Sequence, residues 1–302
     1  MSNIKRVLVT GASGFIGRHS LPFLVERGFD VHAVARGALS AGDGMTAHQC
    51  DLLDRRAAAA LIASVRPSHL LHFAWYAVPG KFWTAPENRD WATATLALIR
   101  AFAAAGGRRA VCAGSCAEYD WSHATLSEAA TPLAPSTLYG TAKNGTRAGL
   151  ESAAAAVGLG WAWGRIFWLH GPHEPPGRLV SDVVTGLLAG RRVPVSAGTQ
   201  VRDFLHVEDV ARAFAALTDS DGTGAVNIAS GEPIAVRTVV ETIGALTGRG
   251  DLIDFGALPM RAGEPPCLVA DTTRRCAMID VVPRYDLRNG LQQTIDSYRA
   301  AP

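Results

Sequence analysis

The most constraining stretch of this chain is Val7-Leu8-Val9-Thr10-Gly11-Ala12-Ser13-Gly14-Phe15-Ile16-Gly17, where an apolar β-type run breaks into three glycines at three-residue spacing. Lys5 and Arg6 precede the run, and residues 18–25 carry apolar side chains at helical spacing, so the stretch reads as strand, tight turn, helix. Each glycine has a separate use in such a turn. Gly11 permits a backbone conformation closed to residues with a Cβ, Gly14 lets the chain approach a pyrophosphate, and Gly17 lets helix and strand pack closely. The unpaired N–H groups at the start of the helix then favour an anion. The spacing departs from the G-x-G-x-x-G form, so an ordinary strand-to-helix turn stays open until the rest of the chain is read.

The rest keeps the same rhythm. Strand patterns over 6–10, 30–35, 69–74, 111–115 and 160–167, with a short one ending at 50–52, alternate with helical patterns to residue 27 and over 54–65, 88–105 and 136–156. This alternation predicts an α/β fold, a doubly wound parallel sheet of the Rossmann type with helices on both faces. A Gly/Ser-rich loop is expected over 37–44. Beyond Gly171, Pro, Gly and Arg become frequent and elements shorten, which predicts a smaller C-terminal substrate-binding lobe. The expected division is a dinucleotide-binding domain over 1–168 and a mainly substrate-binding lobe over 169–302, with residues 208–229 returning to the first sheet. Doubly wound sheets bind ligands at the carboxyl ends of their strands, so Gly11, Arg36, Asp51, Ala74 and Ser115 should line one crevice.

Composition narrows the partners. The 302 residues are 48% hydrophobic, enough for a large core, and the net charge of +2 with scattered arginines excludes a nucleic-acid-binding stripe. No uninterrupted apolar run is long enough to span a bilayer and no secretory leader is recognisable, so a cytoplasmic protein acting on small molecules is expected. Cys50, Cys112, Cys116, Cys267 and Cys276 form no C-x-x-C pair and read as reduced thiols in or near the core. His170, His173 and Glu174 sit among Pro and Gly and read as polar loop groups, with no metal site expected.

Chemistry concentrates at Tyr139-Gly140-Thr141-Ala142-Lys143, because a four-residue offset on a helix puts phenol and ammonium on one face. A phenol titrates near a pKa of about 10, and a neighbouring cation favours its ionised form, which suits it to acid–base work. Ser115, at the exit of the fifth strand, adds a hydroxyl able to hold a substrate oxygen. Trp75, Tyr76, Trp83 and Trp121 follow strands on the crevice side; they either line a hexose or base pocket or cover the loops.

With these residues in hand, the sequence resembles the extended short-chain dehydrogenase/reductase superfamily, in its nucleotide-sugar epimerase/dehydratase/reductase branch. The resemblance spans nearly the whole chain. It is carried by residues 10–17, Asp51-Leu52, His72-Phe73-Ala74, Ser115-Cys116-Ala117-Glu118-Tyr119, Tyr139 to Lys143, and the run Arg202-Asp203-Phe204-Leu205-His206-Val207-Glu208-Asp209-Val210-Ala211. It implies that Tyr139 gives or takes the proton, Lys143 binds the nicotinamide ribose and lowers the tyrosine pKa, and Ser115 bonds the reacting oxygen. Gly11, Ser13, Gly14, Phe15 and Ile16 would meet the pyrophosphate, Asp51 and Leu52 the adenine, and Phe73 and Ala74 complete the cofactor site. It also implies a homodimer formed through the helices over 88–105 and 136–156.

Four departures shape the expected function. Arg36 follows the second strand where NAD users of the family commonly carry an acid; a guanidinium there suits a 2′-phosphate and favours NADP(H), with NAD(H) possible. Cys116 and Ala117 stand where the family's dehydratases carry Asp-Glu, which argues against 4,6-dehydration. Trp168 and Trp91 replace two family asparagines, so substrate and cofactor-loop contacts there differ. The run over 255–271 resembles the tail of CDP-abequose synthase and related sugar 4-ketoreductases, with Arg202 and Arg261 expected to grip a substrate diphosphate. The reading expected from these features is NADP(H)-dependent reduction of the 4-keto group of a nucleotide-diphosphate deoxyhexose, with Tyr139 supplying the proton. A nucleotide-sugar C4 epimerase is the first alternative, and a non-catalytic dinucleotide-sensing protein on the same fold the second.

Overall fold

The structure is a computed structural model that describes residues 5–40 and 42–300. Ala41, inside the expected 37–44 loop, lies outside them. The first strand, β1 (Arg6–Thr10), already sets up two cores. Successive side chains point to opposite faces, so Val7 and Val9 pack with Leu21, Leu24 and Phe214, while Leu8 packs with Ile62, Leu70 and Ile99.

The chain continues through α1 (Phe15–Glu26), β2 (Asp30–Ala35), β3 (Met45–Gln49), α2 (Arg55–Val65), β4 (His69–His72), α3 (Glu87–Ala104) and β5 (Arg109–Ser115). A one-turn 3-10 helix over Cys116–Glu118 follows, then β6 (Thr125–Leu126), α4 (Leu138–Val157), β7 (Gly160–Ile166) and β8 (Trp168–His170). Side chains start two of these helices: Asp54 accepts from Arg56 N and Ala57 N at the head of α2, and Thr137 accepts from Gly140 N at the head of α4. Gly158, in the left-handed region at φ 67°, ends α4. Beyond it lie α5 (Leu179–Leu188), β9 (Val193–Val195), β10 (Val201–His206), α6 (Val207–Asp219), β11 (Gly224–Ile228), β12 (Pro233–Ala235), α7 (Val236–Thr247), β13 (Ile253–Phe255), β14 (Cys267–Ala270), α8 (Thr273–Met278) and α9 (Leu287–Ala300).

Seven parallel strands form one sheet in the order β11-β7-β5-β4-β1-β2-β3. Helices α1 and α6 pack together on one face, and α2, α3 and α4 on the other, as the alternating sequence pattern predicts for a doubly wound α/β fold. A second sheet runs β12-β10-β14-β6 with β8 added alongside β10, and β13 pairs β9 separately. Helices α5, α7 and α9 bury Val183, Val184, Val240, Ile243, Leu291 and Ile295 to make the smaller core of this second region. The chain revisits the large sheet once, where β11 pairs with β7. Among the described residues no helix is long and apolar enough to cross a membrane.

Two strands stop earlier than their sequence patterns predict. After β3 the ladder extends by a single bond, Cys50 N to Ala35 O, and the Asp51 carboxylate then accepts from Leu53 N and turns the chain. The fourth strand ends at His72 and not at Ala74: Phe73 N makes the last bond to β1, donating to Thr10 O, and its ring packs edge-on against Phe214 with ring centroids 5.0 Å apart.

The glycine turn tolerates no added carbon. Gly11 sits at φ 67°, and a Cβ at position 17 would lie 2.1 Å from the Gly11 carbonyl oxygen. Gly145, on the exposed side of α4, has open space around it. Opposite effects of one substitution follow. Gly17→Ala should lower unfolding free energy by roughly 1–3 kcal/mol through overpacking, whereas Gly145→Ala should raise it by roughly 0.5–1 kcal/mol by restricting the unfolded chain. Denaturant unfolding measures both, and a Gly17→Ala protein as stable as its parent would contradict the packing described.

Candidate active site

The parallel order of the large sheet puts the strand ends expected to form a crevice side by side. Gly11 follows β1, Arg36 follows β2, Asp51 lies just past β3, Ala74 past β4, and Ser115 closes β5. The turn at Gly11 is tied to its neighbours: Ala12 N donates to Val34 O, and a Cβ on Gly11 would lie 2.8 Å from Ala74 N. Gly14, at the N-cap of α1, offers no side-chain cap, so the first-turn N–H groups meet no side chain of the protein. Ser13 and Gly14 are exposed, and Phe15 and Ile16 are half-buried beside them. A turn in which a Cβ would clash at Gly11 and Gly17, opening onto uncapped helix N–H groups, fits a dinucleotide pyrophosphate.

Arg36 is exposed, and its carbonyl accepts from Gln49 Nε2. Asp51 is also exposed, with one carboxylate oxygen held by Leu53 N. Leu52, expected beside it at the adenine, is instead buried against the core under α2, so of that pair only Asp51 faces solvent.

Ser115, Tyr139 and Lys143 come together at the end of β5. Ser115 Oγ accepts from Ala117 N at 3.2 Å, which occupies an acceptor lone pair and leaves the hydroxyl proton to be donated elsewhere. Tyr139 is the second residue of α4, and its N–H donates to Trp83 O. One turn later Lys143 is buried, donates from Nζ to Ala113 O at 2.8 Å, and lies 3.7 Å from the centre of the Trp75 ring. Burial pushes Lys143 down to about 7, with Glu118 and Cys112 opposing the fall. The expected lowering of the Tyr139 pKa by Lys143 is not what the structure holds. Burial raises it, opposed by the adjoining Ser115 hydroxyl, while the Lys143 ammonium is taken up by Ala113 O and the Trp75 ring. Burial thus favours the phenol over the phenolate at Tyr139, against the pull of Ser115.

The aromatic residues after the strands gather round this pair. Phe82 and Trp83 pack edge-on against Tyr139 at 4.9 and 5.8 Å, and Trp121 packs edge-on against Trp83 while donating to Cys116 O. Trp75 is fixed by its Nε1, which donates to Asn88 Oδ1; buried Asn88 in turn donates to Phe82 O and Ala85 O. Sequence reasoning missed Asn88, although an asparagine opening a long helix after a Pro-containing loop is a readable signal for such a loop clamp. His72 is a second anchor, bonded between Thr10 and Thr95 and kept neutral by burial.

Arg202 and Arg261 both line a cavity of about 410 Å³ in the smaller region, with Trp168, Gln200, Phe255 and Glu264 among its other walls. Arg202 is buried, pairs with Glu264 at 2.9 Å and lies over the Trp168 ring, while Arg261 is exposed. Gln200 Oε1 is buried there without a hydrogen-bond partner. Trp168 also packs on the apolar group that contains Cys116, the residue after Ser115, and so borders both places. Cys116 is buried, and burial pushes its thiol up to about 12.

His170 and Glu174 are not the solvated loop groups their Pro/Gly setting predicts. His170 belongs to β8 and is buried, and the buried Glu174 carboxylate accepts from Ser181 N in α5. Among the described residues no group of three His, Cys, Asp or Glu side chains could hold a metal ion.

Comparison with known proteins bears on the family and the fold. Residues 7–229 match the model of the NAD dependent epimerase/dehydratase family. A UDP-glucose 4-epimerase of Azospirillum brasilense is 29% identical over 326 residues, covering 97% of this chain and 91% of that protein. One of Streptomyces lividans is 30% identical, covering 88% of this chain and 87% of that protein. Among solved structures, MoeE5 in complex with UDP-glucuronic acid and NAD superposes with a TM-score of 0.84 at 32% identity, covering 97% of this chain and 99% of that one.

The buried histidines generate a pH prediction. Burial depresses His170 to about 3, with a smaller push from His206, and its Nδ1 has no partner. A base depressed in the fold binds fewer protons than in the unfolded chain between its two pKa values. Its stabilising effect is therefore complete above about 6.5 and is lost as pH falls toward 3. Thermal unfolding temperature should drop between pH 7 and 4.5, and His170→Phe should flatten the drop by on the order of 2 kcal/mol; equal slopes for the two proteins would contradict it.

Proposed function

The chain belongs to the NAD dependent epimerase/dehydratase family, and from that premise we propose that it inverts C4 of a nucleotide-diphosphate hexose by oxidation and re-reduction, retaining its nicotinamide dinucleotide throughout. The observation that carries the reading is the grouping of Ser115, Tyr139 and Lys143 at the end of β5, followed by Cys116 and Ala117. Those three residues serve redox chemistry at a carbon bearing a hydroxyl, and the two after the serine bring no carboxylate for dehydration.

A bound nicotinamide dinucleotide supplies the two-electron acceptor and donor. Gly11, Ser13, Gly14, Phe15 and Ile16 hold its pyrophosphate, Asp51 and Arg36 its adenosine end, Phe73 and Ala74 its middle, and Lys143 the nicotinamide ribose. Ser115 donates its free hydroxyl proton to the C4 oxygen and fixes that oxygen beside Tyr139. Tyr139 takes the proton of the C4 hydroxyl as a phenolate during oxidation and returns it as the phenol so formed on reduction, the Lys143 charge countering the burial that favours the phenol. Arg202 and Arg261 grip the substrate diphosphate, for which a planar multi-donor group is suited. The relatives' names, with the UDP-sugar held by MoeE5, make a UDP-hexose the first substrate to try.

A second reading, NADP(H)-dependent reduction of a 4-keto-deoxyhexose nucleotide, is favoured by Arg36 at the exposed end of β2 and by the protonated state of Tyr139. The two readings differ in dinucleotide balance.

Purified protein given NAD and a UDP-hexose should interconvert the C4 isomers with no net change in dinucleotide absorbance, and stoichiometric NADPH consumption with a 4-keto sugar would favour reduction instead. Tyr139→Phe should lower kcat roughly a hundredfold or more, and full turnover by that variant would refute the assigned role. Arg36→Asp should shift preference from NADP(H) toward NAD(H) by roughly tenfold; an unchanged ratio of the two affinities would remove Arg36 from the cofactor site.

A further inference from the structure

Behind Ser115 lies a carboxylate to which none of the roles above is assigned. Glu118 is completely buried. Its Oε1 accepts from Ser115 N and from Trp163 Nε1, each at 2.8 Å, and its Oε2 accepts from Arg165 Nε at 2.8 Å. Arg165, itself 2% exposed, donates onward to Tyr119 OH, which donates to Asn227 Oδ1. Two absent Cβ atoms make room for this arrangement. A Cβ on Gly114 would stand 2.7 Å from Glu118 Oε1, and one on Gly140 would stand 2.1 Å from Ala117 O. The turn over Cys116–Glu118 is thus wedged between Ser115 and the first turn of α4, one residue from Tyr139.

Stability alone does not account for such a pair, since a buried ion pair can often be replaced by apolar residues of like volume without loss. What it does provide is a carboxylate fixed in place close to two groups whose protonation matters. We propose that Glu118 is a positioning residue for the proton-transfer pair: its Arg165-anchored carboxylate locks the turn joining Ser115 to α4 and sets a negative charge on the Nε1 of Trp163, the ring whose centre lies 5.9 Å from Lys143 Nζ. The proposal rests on the reading of Tyr139 and Lys143 as that pair.

The surroundings of Lys143 leave Glu118 as the counter-charge. From β5 it meets Cys112, whose thiol burial pushes up to about 12, and from β4 it meets His72, which burial holds neutral. The rings of Trp75 and Trp163 and the Tyr139 ring on its own helix complete the enclosure. Burial drives Lys143 down, and Glu118 is the largest influence opposing it. The same carboxylate adds to the rise that burial imposes on Tyr139, so one charge favours an ammonium at Lys143 and a phenol at Tyr139.

The chain has three lysines, Lys5, Lys81 and Lys143, so protein labelled with 13C at lysine Cε should show three resolvable signals, that of Lys143 identified by its loss in Lys143→Arg. Its titration midpoint should lie at about 7. Glu118→Gln keeps an acceptor for Ser115 N but removes the charge, and should lower the midpoint by about one unit, cutting the ammonium-to-amine ratio roughly tenfold. A purely structural role predicts the reverse, because a loosened turn admits water and raises the midpoint. An unmoved or raised midpoint therefore overturns the proposal. If Glu118→Gln does not fold, the Glu118→Gln/Arg165→Met double variant is titrated against Arg165→Met, from which it differs only in the Glu118 charge, and its midpoint should lie about one unit below that of Arg165→Met. No turnover is needed: a fallen midpoint beside a fully active Tyr139→Phe variant locates the error in the catalytic reading, whereas an unmoved midpoint beside an inactive one locates it here.

Discussion

The carbonyl oxygen of Gly11 lies 2.1 Å from where a Cβ at position 17 would be, and the cofactor-facing edge of the protein depends on that space staying empty. Only with glycine at 17 does α1 start close enough to β1 to aim its first N–H groups across the strand ends. Gly11, at φ 67°, answers on the other side by letting Ala74 approach. The end of β4 is thereby fixed to the end of β1, and the Thr10–His72–Thr95 hydrogen bonds carry that constraint from β1 through β4 to α3. From α3 it passes through Asn88 to Trp75, and from Trp75 to the Lys143 ammonium. The anion-binding turn and the proton-transfer pair are in this sense two ends of one packed assembly.

The second anchor works from the next strand, on the far side of β5 from β4. Arg165 on β7 holds Glu118, Glu118 holds the Ser115 backbone, and the turn between them bears on Gly140 of α4. Ser115 and Tyr139, from different elements, are set relative to each other by this turn. The two arginines proposed to grip the diphosphate differ in their surroundings. Arg202 is already paired with Glu264, so an incoming diphosphate competes with a carboxylate, while exposed Arg261 is not held in this way. That competition suits a ligand site that must also let its product leave.

Legibility in the sequence followed the range of each interaction. The glycine turn and the Tyr139/Lys143 face were readable because both are local spacings, and the strand–helix alternation was readable because it repeats. Glu118 and Arg165 are 47 positions apart, and Arg202 and Glu264 are 62 apart, so no window of sequence joins them. His170 was read as a loop residue from its Pro and Gly neighbours, but pairing of β8 with β10 buries it. The sign of the Tyr139 shift went wrong for a related reason: helical spacing reveals the nearby lysine, yet says nothing of the depth of burial or of Ala113 O and Trp75 taking up the ammonium. The 2′-phosphate preference inferred from Arg36 concerns an exposed side chain, where the fold itself exerts no choice.

The central claim is that the carbon inverted by this protein exchanges a hydride within the site and never a proton with solvent. The most direct measurement is deuterium content at C4 of the sugar after a UDP-hexose has been equilibrated with its isomer by the enzyme in deuterated water. The account predicts no solvent deuterium at C4 in either isomer. Deuterium at C4 would mean that a base removes that proton, and would contradict the roles assigned to Ser115, Tyr139 and Lys143.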